Sequence, residues 1–140
     1  LKKTDILELA GRKLAPFMFL FGLYLVSYGD TSPGGGFQGG AVIASGVILL
    51  AMTRGVAATQ RTFSVQSLSL TEAITFGLLI CFGVAGLVIG TGFLADILGR
   101  GGSNAILPRA RSIYLLNVLI GVKVAAGTSL ISLSLFREDE

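Results

Sequence analysis

The chain has no histidine and no tryptophan, one cysteine, three prolines and few charges: Asp, Glu, Lys and Arg make up 14% of its 140 residues. An ordinary soluble domain carries about a quarter charged residues. Without histidine, and with Cys81 alone, no disulfide can close within the chain. The ligand sets that hold haem, iron–sulfur clusters or structural zinc are missing as well. We therefore expect no cofactor in this chain. Cys81 falls mid-stretch among apolar neighbours, where a thiol acts as a small packing residue. The net charge is only +3, and most basic residues flank apolar stretches, so the pattern is not that of a nucleic-acid-binding surface.

What is present is apolar surface. Hydrophobic residues make up 52% of the chain, and the mean hydropathy is +0.79. Four stretches nearly free of charge predict an all-α integral membrane protein with four transmembrane helices, forming one domain over residues 1–140. The spans are expected at Leu14–Tyr28, Phe37–Thr53, Ala73–Ala95 and Ser112–Phe136. The first is short of the roughly 20 residues that cross a bilayer. A helical lead-in from Asp5 to Lys13 completes it if Arg12 and Lys13 snorkel. Acidic Asp5 and Glu8 in the charged start, with no small-residue cleavage site after the apolar run, favour a retained span over a cleaved leader. Polar connections are expected at Arg54–Ser69 and Asp96–Arg111.

Counting basic residues sets the orientation. One side collects Lys2, Lys3, Arg12, Lys13, Arg54, Arg61 and Arg137, and the other Arg100, Arg109 and Arg111. The excess predicts both termini on the cytoplasmic side of the cell membrane. Small residues four apart, such as Gly40 and Ala44 or Gly121 and Ala125, prepare close helix packing and point to partners in a multi-subunit assembly.

Two features carry chemistry. The run Ser32-Pro33-Gly34-Gly35-Gly36-Phe37-Gln38-Gly39-Gly40 reads as a Gly-rich loop between the first two spans. Glycine loses the most backbone entropy on ordering, so the run is expected to expose backbone to a neighbour or an ion rather than to open a helix. No Lys-Ser/Thr pair follows it, which excludes a nucleotide phosphate loop. The second feature is Lys123, near the centre of the fourth span. An ammonium at that depth costs about 2.5–3.5 kcal/mol on insertion scales unless a counter-charge or water meets it. A proton relay or gating charge is one reading, and a structural ion pair is the other.

Glu72 and Asp30 are the other ion-path candidates. With Glu72 opening the third span and Asp30 beyond the end of the first, each lies roughly 18 Å in depth from Lys123 at 1.5 Å per residue. The carboxylate partner of Lys123 is then expected on another subunit, unless the glycine loop re-enters and carries Asp30 inward.

The stretch Pro16–Met52, with Gly22-Leu23-Tyr24 leading into Gly29-Asp30-Thr31 and the glycine run, resembles the MnhB-type subunits of the Mrp (Mnh) multi-subunit cation/proton antiporters. Asn117 and Gly121-Val122-Lys123-Val124 in the last span extend the resemblance over nearly the whole chain. It implies a non-catalytic membrane subunit of a complex that exchanges Na⁺ for H⁺, alongside large antiporter-like and small membrane subunits. A similar module in archaeal membrane-bound hydrogenases and sulfane reductases implies redox partners as the alternative. Many antiporter relatives carry a histidine in the turn before Ser-Pro or Thr-Pro, where this chain has Ser27-Tyr28-Gly29-Asp30-Thr31. That departure inclines the reading toward the respiratory branch. A purely structural scaffold and a self-sufficient homo-oligomeric transporter are the competing readings.

Overall fold

A computed structural model describes residues 5–29, 34–88 and 111–138. Expectations for Asp30, Ser32 and Pro33, for residues 89–95 of the third span and for residues 96–110 fall outside the described residues. Five helices follow in order: α1 (Asp5–Ser27), α2 (Gly35–Arg54), α3 (Val56–Thr62), α4 (Val65–Val88) and α5 (Arg111–Glu138). All but α3 are long and apolar enough to cross a membrane.

The lead-in and first span are one continuous helix that accommodates Pro16 in its interior. Neighbours in space are α1 with α2, α2 with α5, and α5 with α4. Glycine contacts fix the directions: Gly11 lies against Thr53 and Gly22 against Ile43, so α1 and α2 run antiparallel. Gly36 meets Asn117 and Gly40 meets Val124, so α2 and α5 run parallel. At one end, Val47, Ala51, Val56 and Leu133 form a buried cluster flanked by Phe19, Phe63, Leu68 and Phe136.

Two expectations are corrected. The third span begins at Val65, not Ala73, and the supposed polar connection Arg54–Ser69 is α3 plus the first turn of α4. Ser64 starts α4 by accepting the Ser67 N–H at 3.1 Å, and its own hydroxyl donates to Ser67 Oγ at 2.8 Å. A serine in this position satisfies one of the free N–H groups at a helix start. The threonines on either side of it, in α3 and α4, do not resist the helix either. Thr75 Oγ1 donates to the carbonyl of Thr71 at 2.7 Å, and Thr59 Oγ1 to that of Gly55 at 3.0 Å. Hydroxyls bonded to the preceding turn bury without an orphaned donor.

The second correction concerns the glycine run: Gly35–Gly40 are helical, forming the start of α2 and not a loop. Gly36, Gly39 and Gly40 are buried, because α1 and α5 both approach α2 there at backbone distance. A Cβ on Gly40 would stand 2.5 Å from the Gly121 carbonyl oxygen, and one on Gly36 would collide with that of Asn117. In an apolar medium this contact offsets the entropy that glycine loses in a helix, which is about 1 kcal/mol per residue relative to alanine. Gly35, at φ +83°, starts the helix from a left-handed conformation that other residues rarely adopt.

Candidate functional site

The early start of α4 decides the site. Counting from Val65, Glu72 is the eighth residue of the helix, about 10 Å inside it at 1.5 Å per residue. Lys123 lies near the middle of the 28-residue α5. Because α4 packs on α5, the two side chains meet: Lys123 Nζ donates to Glu72 Oε1 at 2.8 Å. The carboxylate partner of Lys123 therefore lies in its own chain, contrary to the sequence expectation. That expectation places Glu72 at the mouth of a helix whose first two turns look like loop by composition.

Other groups finish the site. Phe76, one turn after Glu72, holds its ring centroid 5.1 Å from Lys123 Nζ, within the range of a cation–π attraction. Gly127, one turn after Lys123, faces the glutamate; a Cβ there would stand 3.5 Å from Glu72 Cγ, an ordinary contact. Buried Thr75 donates to both the Thr71 and Glu72 carbonyls and stiffens this turn. The Lys123 and Glu72 side chains keep 31% and 34% of their surface open. With the ammonium and the carboxylate side by side, the pair carries no net charge.

The glycine motif is a separate place. Asn117 Oδ1, from α5, accepts the Gly36 N–H at 2.7 Å. This supplies the helix cap that Gly34, which has no side chain, cannot give. Asn117 Nδ2 is buried with no hydrogen bond among the described residues. Phe37 and Gln38 turn outward from this contact. From the motif the structure thus places Gly34 to Gly40 at a helix junction, while Glu72 and Lys123 form the ion pair. No group of three His, Cys, Asp or Glu side chains that could hold a metal occurs among the described residues.

Sequence reasoning did not assign Phe76, Thr75 or the cap made by Asn117. A signal existed for Phe76, which is four residues from Glu72 and so on the same helix face. Asn117 offered its polarity within an apolar span and its place in the family resemblance, neither of which names Gly36 as its partner.

The family model described as a domain related to the MnhB subunit of Na⁺/H⁺ antiporter matches residues 6–130. The chain belongs to the MnhB family. That match takes in both the Asn117–Gly36 junction and the Glu72–Lys123 pair. Among similar proteins, an uncharacterized protein of Methanocaldococcus jannaschii is 33% identical over 132 residues, 90% of this chain and 50% of the relative. The chain thus spans about half the length of that protein. The B-type Na⁺/H⁺ antiporter subunit of Alkalihalophilus pseudofirmus is 32% identical over 133 residues, covering 87% of this chain and 89% of the relative. The Bacillus subtilis protein of the same name is 32% identical over 101 residues, 70% of this chain and 68% of the relative.

Proposed function

We propose that this chain is a non-catalytic membrane subunit of a multi-subunit Na⁺/H⁺ antiporter module, and that Glu72 and Lys123 border its ion path. The carrying observation is the 2.8 Å ion pair deep within the spans of an MnhB-family protein. A carboxylate and an ammonium at that depth are costly to keep for packing alone and mark ion routes in membrane proteins. Asp30 remains a proposed acid at the outer mouth of that route. The chain itself needs no cofactor, and Na⁺ and H⁺ are the transported ions. It sits in the cell membrane with both termini on the cytoplasmic side, as the basic residues Arg12, Lys13, Arg54 and Arg61 favour. Its partners are the large and small membrane subunits of the same module.

The test has two steps. Gentle extraction of the tagged chain followed by mass spectrometry should recover other antiporter subunits. Recovery of nickel–iron or iron–sulfur subunits with them would place the module in a redox-driven complex. Na⁺-dependent proton exchange is then measured in vesicles holding the complex with Glu72→Gln and Lys123→Met together. Normal assembly with exchange reduced tenfold or more supports a path at the pair. Normal assembly with unchanged exchange leaves the chain as a scaffold.

A further inference from the structure

The chain covers only about two thirds of the Lys123–Glu72 pair; 31% and 34% of the two side chains stay open. The opening lies along one edge of the α4/α5 seam. On α4 that edge carries Phe76, in contact with Lys123, and Ile80 one turn beyond it; on α5 it carries Ile120, one turn before Lys123. All three are exposed. The other edge of the seam borders a largely apolar groove whose lining from these helices includes Leu68, Thr71, Val118, Val122 and Ala126 but none of Glu72, Phe76, Ile120 or Lys123.

At this depth the open edge meets either hydrocarbon or the protein of another subunit, which would also wall any water-filled ion path running past the pair. Hydrocarbon cannot serve the groups that remain. An ammonium carries three donors and a carboxylate two acceptor oxygens. Among the described residues their one hydrogen bond is Nζ to Oε1, leaving Oε2 and further N–H groups to find partners elsewhere. Each polar group left unpaired in an apolar medium costs a few kcal/mol.

Resting on the reading of this chain as one subunit of a complex, we propose that a transmembrane helix of another subunit packs along this edge. It sets an uncharged hydrogen-bonding side chain, of the serine, threonine, asparagine, glutamine or tyrosine type, against the pair. The partner group is uncharged because the pair is already neutral, and a third charge would stand unpaired in a low dielectric. The partner is a helix because backbone exposed at this depth must be hydrogen-bonded within its own segment.

The test places a photo-crosslinking residue at Ile80, and separately at Ile120, in the full complex in its membrane. Both positions should form adducts with one and the same other subunit. Peptide mapping should find an uncharged hydrogen-bonding side chain within one turn of the crosslinked residue. Adducts with lipid alone, with a second copy of this chain, or none at either position would overturn the inference. So would a mapped helix presenting only apolar or charged residues at that level. Co-purification of the other subunits is scored on the same sample. Failed crosslinks in an intact complex sink this inference alone, whereas a chain recovered without partners sinks the functional reading.

Discussion

Glu72 and Lys123, 51 residues apart in the sequence, join α4 to α5 through one 2.8 Å contact. Because α4 packs mainly against α5, the contact both holds that helix and neutralises a charge that the membrane would otherwise penalise. Removing either partner alone strands the other.

Lys123→Met or Glu72→Gln alone should therefore lower stability by roughly 1–4 kcal/mol, an effect set by the abandoned charge. The exchange of both residues, E72K with K123E, should recover most of that loss. Thermal unfolding of the purified complex in detergent measures all three. Equal losses in the swap and the single variants would refute a pairing role.

Glycines on α2 and α4 should respond oppositely to alanine. At Gly40 a Cβ would stand 2.5 Å from the Gly121 carbonyl oxygen, whereas at Gly77 nothing lies within 4 Å. Gly40→Ala should push α2 from α5 and cost about 1–3 kcal/mol, as overpacking commonly does. Gly77→Ala should be neutral, or stabilising by up to about 1 kcal/mol from helix propensity. Retention of the folded subunit after mild heating separates the two.

Asn117→Ala removes the acceptor of the Gly36 N–H. The loss of such a cap costs about 0.5–2 kcal/mol, and it should act first on the opening turn of α2. Hydrogen–deuterium exchange over residues 35–40 should accelerate, while the core of α4 stays protected.

Ser64→Ala tests the start of α4. It removes the acceptor of the Ser67 N–H at a cost of about 1 kcal/mol. Exchange should quicken over residues 65–68, and Ser64→Asp, which keeps an acceptor there, should restore protection.

The sequence was legible where the physics is local. Windows of about twenty apolar residues report membrane spans without reference to any other part of the chain, and α1, α2 and α5 match their expected positions closely. Where composition misled, a non-local term had been left out. Ser64 and Ser67 look like loop residues in isolation, but the Ser64 side chain, by accepting the Ser67 N–H, caps the start of α4 there. The glycine run looks like a helix breaker until two neighbouring helices press against it.

By itself, then, the sequence determined an all-helical membrane protein, its four spans, and the central depth of Lys123, since each follows from runs of hydropathy. Only the tertiary structure decided that Glu72 is the partner of Lys123 and that Gly36 and Gly40 are packing surfaces. Both depend on where a helix begins and which helix stands beside it. A shift of eight residues in one helix start moves a carboxylate about 12 Å in depth at 1.5 Å per residue, and lateral adjacency is written in no single stretch of the chain.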